Sequence, residues 1–429
     1  MKLGKKLLLA AVAGATMLTT AACGNKSSNS SDSKIPTKIS KKTTIVFWHG
    51  MTGVQQTTLQ KLTKEFEKKN PNITVKLQNQ GAYNDLQAKI NSTLQSPNNL
   101  PTITQAYPGW LWNAAKNKML TDMTPYINNK SIGWGSAAAS DIKTELLDGA
   151  KINDTQYGIP FSKSIETLTY NKDLLDKYGV KVPTTMDELK TASETIYKKS
   201  KGKVVGAGFD SLANYYVLGM KNAGVDFTDK IDFAGSTSKS VLNYYADGMK
   251  KGYFRIAGSD HYLSGPFANE KVAMYIGTSA GEGFVKMGVG KKFTYGVAPR
   301  PGKYNMSQGT DIYMFNKSTA MQKAAAFLYI KFLTSKASQL TWANSTGYVP
   351  VVKSAMTDAS YTKSDLKTPA IVNEAMKYTY SVPVTKNSNA AYGNLNAILQ
   401  NVFTAAQKGQ NVDAQIKAGK AKFDAAWKQ

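Results

Sequence analysis

Side chains capable of covalent chemistry are few in this chain. Its 429 residues include one cysteine and two histidines, which leaves almost no material for a metal site, a disulfide or a Cys–His nucleophile pair. His49 has no partner that spacing identifies, so a structural or ligand-binding role is favoured over general-base catalysis. Glu166 and Asp173 would form a glycosidase pair only if the fold held them across one bond, which spacing does not show. We therefore expect no enzyme activity, no catalytic residue, no metal and no cofactor.

Aromatic residues are more informative, because six of them stand at predicted strand ends or turns. A ring in such a place can stack on the face of a polyol, although a single aromatic residue is more often part of a core. The six are Trp48, Tyr83, Tyr107, Trp110, Tyr215 and Tyr348. The glycine-bounded run at residues 277–281 lacks the Lys-Ser/Thr ending of a nucleotide-binding loop. It predicts a serine, Ser279, and backbone amides offered to a ligand oxygen.

The elements that must position these residues alternate between strands and helices. Residues 45–48 are apolar and, together with Thr44, predict a buried strand, which ends in a tight turn at residues 49–53. Leu59, Leu62 and Phe66 then fall on one face of a helix over residues 54–69. Repeated strand–helix alternation predicts an α/β fold with a parallel sheet. Ligands bind outside the carboxyl ends of such strands, so the turn after the first strand is part of the expected site.

The charge of the chain is strongly positive, at +25, yet it does not indicate nucleic-acid binding. Of the 54 basic residues only Arg255 and Arg300 are arginines, and arginine is the usual bidentate reader of phosphates and bases. The lysines are scattered along predicted helices, and no nucleic-acid-binding motif is present. We expect a solvated cationic surface suited to an anionic cell envelope.

The N-terminus has the organisation of an export signal. Lys2, Lys5 and Lys6 precede an apolar stretch at residues 7–17 that is too short for a permanent transmembrane helix. Small residues at 20–22 then precede Cys23, an order that resembles the bacterial lipobox. We predict a signal peptide at 1–22 and, at 23–42, a lipidated Cys23 carrying diacylglycerol and palmitate, followed by a disordered polar tether. The alternative is an ordinary signal peptide with an incidental cysteine.

The rest of the chain resembles the family 1 extracellular solute-binding proteins of ABC importers. This family includes maltose-, multiple-sugar- and glycerol-3-phosphate-binding proteins. The motifs that carry the resemblance occur in family order and span nearly the whole body of the chain. They are Phe47-Trp48-His49-Gly50-Met51, Gly81-Ala82-Tyr83, Thr104-Gln105-Ala106-Tyr107, Gly158-Ile159-Pro160-Phe161, Tyr170-Asn171-Lys172-Asp173, Phe267 to Met274 and Ser345-Thr346-Gly347-Tyr348-Val349-Pro350. The first two are most similar to the glycerol-3-phosphate-binding branch.

The resemblance implies a type II periplasmic-binding-protein-like fold, with two α/β lobes joined by a hinge around a ligand cleft. Lobe 1 would comprise residues 43–158 plus 310–348, and lobe 2 residues 159–309 plus 349–429. The implied function is that of a monomeric substrate-binding lipoprotein, lipid-anchored on the extracellular face of the membrane of a Gram-positive bacterium, which delivers its solute to the permease subunits. The implied ligand contacts are Tyr83, Ser164, Ser279, Gly309 and Tyr348, with Trp48 and His49 beside them and Tyr107 and Tyr215 as further aromatic candidates.

Three departures from the glycerol-3-phosphate-binding branch leave the solute open. Pro108 stands where that branch has an acidic residue, and the region of Asp210, Asn214 and Tyr215 replaces two tryptophans. The arginine expected near residues 389–394 is missing, and with it a bidentate phosphate contact. Both a glycerol phosphate derivative and a neutral sugar therefore remain possible solutes. A surface glycan-binding lipoprotein without a transport role, and a glycan hydrolase, are the alternative functions.

Overall fold

The computed structural model describes residues 35–135 and 141–428, which belong to one structural unit that begins at Ile35. The predicted signal peptide and Cys23 lie outside the described residues, as does most of the predicted tether. Within the described part of the chain, no helix combines the length and the apolar composition that crossing a bilayer requires.

The strands form one mixed sheet with the order β2-β1-β3-β9-β4-β7-β5-β6, in which β10 pairs with β9 and β8 pairs with β4. Their bounds are β1 (Thr43–His49), β2 (Ile73–Asn79), β3 (Ile103–Ala106), β4 (Gly158–Asn171), β5 (Val205–Phe209), β6 (Phe254–Ile256), β7 (Val272–Thr278), β8 (Tyr295–Pro299), β9 (Asn305–Met314) and β10 (Thr379–Tyr380).

The pairing directions divide this sheet into two parallel groups joined by antiparallel strands. Strand β1 lies parallel to β2 and β3 in one group, and β5 lies parallel to β6 and β7 in the other. The long strands β4 and β9 run antiparallel to each other between the groups, and each also pairs with one of them. The α/β prediction with parallel units is confirmed, and the two groups are the sheets of two lobes.

The helices cover the faces of the sheet. They are α1 (Gly53–Lys69), α2 (Tyr83–Thr93), α3 (Trp112–Lys116), α4 (Thr124–Ile127), α5 (Thr144–Asp148), α6 (Lys172–Tyr178), α7 (Met186–Lys199), α8 (Leu212–Asn222), α9 (Ser236–Lys251), α10 (Ser264–Ala268), α11 (Glu282–Val289), α12 (Ala320–Leu333), α13 (Lys336–Thr346), α14 (Lys353–Met356), α15 (Ala359–Thr362), α16 (Val372–Ala375), α17 (Ser388–Gln407) and α18 (Val412–Ala426).

Local sequence accounts for several of these elements. In α1 the predicted face of Leu59, Leu62 and Phe66 is buried, which confirms the 3.6-residue period seen in the sequence. Helix α7 begins with a capping box, in which the Thr185 hydroxyl accepts from the Glu188 amide at 3.2 Å and the Glu188 carboxylate accepts from the Thr185 amide at 3.3 Å. Both helices therefore have the ends that their residues predict.

Each lobe has a large apolar core. The first contains Ile45 and Phe47 of β1 together with Phe327 of α12, and the second contains Phe209 of β5 together with Phe403 of α17. Side chains between Val349 and Met376 pack in the first core, although the sequence-based division assigned residues 349–429 to lobe 2. The division into 43–158 plus 310–348 and 159–309 plus 349–429 stays a prediction.

Candidate functional site

Two tyrosines that are 265 positions apart in the chain meet at the first lobe. Tyr83 begins α2, directly after the Gly81-Ala82 turn, and Tyr348 follows Gly347, whose left-handed conformation ends α13. Their hydroxyl oxygens lie 3.1 Å apart and form a hydrogen bond in which either can donate. The predicted pairing of Tyr83 and Tyr348 in one site thus has a direct geometric counterpart.

Gln105, the third residue of β3, holds this pair in place. Its Nε2 donates to the Tyr83 hydroxyl at 3.3 Å and to the Thr310 hydroxyl of β9 at 2.6 Å. Its Oε1 accepts from the Gly50 amide at 3.0 Å, in the turn after β1. One buried amide therefore connects the ends of β1 and β3 to α2 and β9, at the carboxyl edge where α/β proteins bind ligands.

Aromatic rings surround the hydroxyl pair. Tyr107 and Trp110 lie 5.2 Å apart between ring centroids, and both contact the Tyr83 ring, at 5.8 and 6.0 Å. Tyr348 stacks on the buried Trp342 at 5.6 Å with an interplanar angle of 16°. Tyr83, Tyr107 and Trp110 remain partly exposed. We call Tyr83, Tyr107, Trp110 and Tyr348 the tyrosine cluster.

The hydroxyls of the tyrosine cluster are neutral at physiological pH. Burial raises the pKa of Tyr83, Tyr107 and Tyr348; hydrogen bonds partly oppose this rise for Tyr83, and nearby ionisable groups add to it. Among these neighbours are Tyr262, which acts on Tyr83 and Tyr348, and Tyr392, which acts on Tyr107. Tyr392 belongs to α17, whose second residue, Asn389, lies beside Gly109 in the turn that carries Tyr107 and Trp110.

Three other predicted contacts lie where the lobes join. Ser164 is buried in β4, next to Lys163, whose carbonyl accepts from the Val349 amide at 2.8 Å. Ser279 is buried, and its hydroxyl accepts from the Ile165 amide at 3.4 Å. Gly309 pairs with Lys163 across β9 and β4. The structure therefore brings Ser164, Ser279 and Gly309 next to the segment that carries Tyr348.

The structure does not bring Trp48, His49 and Tyr215 into the tyrosine cluster. The Trp48 ring packs in a small core, and its indole N–H donates to Gln78 Oε1 at 2.7 Å. Burial lowers the pKa of His49 to about 4, so the imidazole is neutral, and its Nδ1 accepts from the Met51 amide at 3.3 Å.

Tyr215 lies inside the second core. Its ring contacts Phe209 and Tyr245, and its hydroxyl donates to the Val241 carbonyl at 2.6 Å. Because Trp48, His49 and Tyr215 are buried and each already forms a hydrogen bond within the protein, we leave all three out of the site proposed below.

A buried polar network borders the site from the second lobe. Arg300 Nε lies 2.9 Å from Glu166 Oε2, and Asn214 Nδ2 donates to Glu166 Oε1 at 3.0 Å. The Tyr392 hydroxyl in turn donates to Asn214 Oδ1. Burial raises the pKa of the Glu166 carboxyl, and the charge of Arg300 partly offsets this. The pair neutralises itself within the protein.

A second buried ion pair lies on the crossing strands. Lys163 Nζ is 2.9 Å from Asp311 Oδ1 and also donates to the Gly309 carbonyl at 3.2 Å. Burial raises the pKa of Asp311, and the ammonium group of Lys163 opposes that shift. Lys163 and Arg300 are thus each ion-paired with a buried carboxylate.

Sequence reasoning did not identify Gln105, Glu166 or Tyr262 as site residues. Gln105 was visible as part of a motif but carried no ring or charge, and Glu166 was weighed only as half of a catalytic pair. Tyr262 lies in an irregular loop without hydrophobic periodicity, so no signal in the sequence indicated where its ring would point. Across residues 35–135 and 141–428, no three His, Cys, Asp or Glu side chains group as a metal site.

The sequence comparisons agree with these features. Residues 61–371 match the family model described as bacterial extracellular solute-binding protein. The multiple sugar-binding protein of Streptococcus mutans is 27% identical over 227 residues, which is 51% of this chain and 48% of that protein. The chain therefore aligns with about half the length of that relative.

Two further proteins align over more of the chain. The sn-glycerol-3-phosphate-binding periplasmic protein UgpB of Pectobacterium atrosepticum is 23% identical and covers 73% of this chain and 74% of its own length. The crystal structure of UgpB from Mycobacterium tuberculosis in complex with glycerophosphocholine superposes with a TM-score of 0.77 at 19% identity, over 90% of this chain and 98% of that one. At that identity the superposition shows a shared fold.

Proposed function

This chain belongs to the bacterial extracellular solute-binding protein family, and from that premise we propose that it is the substrate-binding protein of an ABC importer. Its solute would be a carbohydrate or a glycerol-phosphate-type molecule, the two classes named for its relatives. It would capture this solute between its lobes and deliver it to the permease, without making or breaking a bond.

The observation that carries the proposal is the hydrogen-bonded pair Tyr83–Tyr348, with its bordering rings. Rings present flat apolar faces that match the C–H faces of a polyol, while neutral tyrosine hydroxyls donate and accept hydrogen bonds. The proposed ligand-binding residues are Tyr83, Tyr107, Ser164, Ser279, Gly309 and Tyr348. We add Trp110 and Gln105 because of their contacts with Tyr83.

The proposed mechanism is capture by lobe closure. Strands β4 and β9 are the connections that cross between the two parallel groups, so rotation about them would bring the lobes together. A solute would first meet one lobe, and closure would add the contacts of the other and expel water. A micromolar dissociation constant corresponds to about −8 kcal/mol, which a few stacked rings and several hydrogen bonds can supply when both lobes are preformed.

The proposal includes the position of the protein in the cell. The family is extracellular, and we propose that Cys23 is lipidated and anchors a monomer of the protein to the outer face of the membrane. Labelling of cells with a palmitate analogue should mark the wild-type protein and leave Cys23→Ala unmarked. Release of Cys23→Ala into the medium is the second expected result, and a labelled variant would contradict the anchor.

Titration calorimetry tests the binding function. The purified protein should bind at least one of maltotriose, raffinose, melibiose, sn-glycerol-3-phosphate and glycerophosphocholine, with no product formed on prolonged incubation. Tyr83→Phe and Tyr348→Phe should each weaken binding about fivefold to tenfold, since each removes one hydroxyl from the pair. Tyr378→Phe is the matched control, because Tyr378 is 47% exposed and lies outside the tyrosine cluster. Undiminished binding by both cluster variants would refute this site.

A further inference from the structure

Asp210 occupies the carboxyl end of β5, the edge of the second lobe that corresponds to the position of Gln105 and Tyr83 in the first. Its amide donates to the Ile276 carbonyl at 2.9 Å, and its Oδ1 accepts from the Leu263 amide at 2.7 Å. Its Oδ2 lies against Gly277, where a Cβ atom would overlap it. The side chain is therefore fixed in position between β7 and the loop before α10.

This carboxylate has no cation of its own. Asp210 forms no ion pair with any described residue, and its Oδ2 accepts no hydrogen bond from the described part of the protein. The buried cations on the crossing elements, Lys163 and Arg300, are held by Asp311 and Glu166. Glu166 instead adds negative charge in the neighbourhood of Asp210. An unmatched acceptor thus remains at this edge of the second lobe.

Tyr262 connects this acceptor with the tyrosine cluster of the first lobe. It is the residue directly before Leu263 and is 62% exposed. The amide of the next residue, Leu263, donates to Asp210 Oδ1, and partial burial, followed by the charge of Asp210, raises the pKa of Tyr262. The proximity of Tyr262 also contributes to the raised pKa of Tyr83 and of Tyr348. The Tyr262 ring belongs to none of the apolar cores and instead lines an open cavity beside Arg255 and Pro266, where it can contact a solute.

A second set of residues approaches the cluster from the same side. Ser211 follows Asp210 in the chain, and its hydroxyl accepts from the Asn214 amide at 3.2 Å; the Tyr392 hydroxyl of α17 donates to the side chain of the same Asn214. Gly109, next to Trp110, lies near Asn389, the second residue of α17. Asp210 and Tyr262 are therefore on the part of the second lobe that faces the cluster.

We propose that Asp210 and Tyr262 form the second lobe's half of the binding site, and that Asp210 makes the site selective for an uncharged polyhydroxylated solute over a phosphate-bearing one. This inference rests on the proposed function and names the solute class of that site. The ring of Tyr262 covers one face of the solute, and Asp210 Oδ2 accepts a hydrogen bond from a solute hydroxyl.

The selectivity follows from the charges. A carboxylate that accepts from a hydroxyl forms a charge-assisted hydrogen bond, which is stronger than one between neutral groups. A phosphate has no proton to donate at neutral pH and would bring a like charge close to Asp210 in a partly desolvated cleft, which is costly. It would also need a cation or several free N–H donors, and the buried cations Lys163 and Arg300, like Arg255 beside Tyr262, each already face a carboxylate.

Calorimetry on the full mature chain tests the solute class. The wild type should bind maltotriose, raffinose or melibiose at least 100-fold more tightly than sn-glycerol-3-phosphate. Asp210→Asn keeps the size of the side chain and removes its charge. It should weaken binding of the tightest-binding sugar about tenfold. It should also lower the ratio of sugar affinity to sn-glycerol-3-phosphate affinity at least tenfold. Asp229→Asn, which changes an exposed carboxylate on the loop between α8 and α9, should leave both affinities unchanged.

A second variant tests the same site without changing Asp210, whose replacement could disturb the fold. Tyr262→Ala changes an exposed side chain, so the thermal midpoint should stay the same while sugar affinity falls at least fivefold. Equal or tighter binding of sn-glycerol-3-phosphate by the wild type would overturn the inference. The proposed function would still hold in that case if Tyr83→Phe also weakened the binding of sn-glycerol-3-phosphate. An unchanged ratio in Asp210→Asn would overturn the inference too. Failure of every solute to bind would overturn the proposed function itself.

Discussion

Gly309 of β9 passes so close to Ser162 of β4 that a Cβ atom on the glycine would overlap the serine carbonyl oxygen. The glycine also has φ = +93°, a backbone region that other residues rarely adopt. Opposite it, the pairing register of β4 shifts between Pro160 and Ser162. The two strands that connect the lobes therefore cross at a point that only glycine can occupy.

Gly309→Ala should consequently destabilise the protein. The overlapping atom belongs to the backbone and cannot rotate away, and the positive φ adds strain, so we expect a loss of about 3 kcal/mol or more in the free energy of unfolding. Urea denaturation measures this loss. Gly265→Ala is the control, since a Cβ there meets nothing within 4 Å. Equal stability of both variants would show that the crossing tolerates a side chain.

Removing one partner of the Glu166–Arg300 ion pair should destabilise the protein more than replacing both partners with uncharged side chains. Both side chains are almost fully buried, so removing one partner leaves an uncompensated charge. Arg300→Met should lower the free energy of unfolding by about 3–5 kcal/mol. The double variant Glu166→Gln with Arg300→Met should lose clearly less than the sum of the single losses. Additive losses in denaturation experiments would contradict this coupling.

His49 should make the protein sensitive to acid. Its pKa in the folded protein is lowered to about 4 by burial, whereas an unfolded histidine titrates near 6.5. The folded state therefore resists protonation, and the stability that depends on a neutral His49 is complete above about pH 6.5 and is lost as the pH falls towards 4. The loss across this interval should be about 3 kcal/mol.

Thermal unfolding at pH 7, 5.5 and 4.5 measures this dependence. In His49→Gln the part of the pH dependence that belongs to this site should disappear, whereas His261→Gln, which alters an exposed histidine, should retain the wild-type profile. If the His49→Gln profile matched that of the wild type between pH 6.5 and 4.5, the acid sensitivity would come from other groups.

Asp210 should make the affinity for sugar rise with pH. Burial raises the pKa of this carboxyl to about 7, and the charge of Glu166 adds to the shift. A raised carboxyl pKa stabilises the folded protein below about pH 4, and this contribution is lost as the pH rises through 7. A solute hydroxyl that donates to Asp210 favours the ionised form. Sugar affinity should therefore rise about fivefold to tenfold between pH 6 and pH 8.

Calorimetry at the two pH values checks this rise. The ionisable groups around Asp210 are Glu166 of β4, Tyr245 of α9, Tyr262 of the loop and Tyr275 of β7, and burial raises the pKa of each. The three tyrosines stay protonated over this range. Asp210→Asn should abolish the rise, and any rise that persists would belong to Glu166.

Several features of the fold depend only on residues that are close together in the sequence. The apolar period of α1 and the strand–helix alternation involve neighbours within a few residues, and both were predicted correctly; the Thr185–Glu188 capping box is equally local. The motif order also indicated the family, because it reflects the sequence of elements along the chain.

The tertiary structure decided which aromatic residues share a surface. Tyr83 and Tyr348 meet across 265 residues, while Tyr215, a ring of the same type next to a predicted strand end, packs in a core. Tyr262 is exposed in a loop without periodicity. A side chain's type and local period specify whether it can be buried or can bind. Which distant group it faces depends on the crossing of β4 and β9, and that arrangement is a property of the whole sheet.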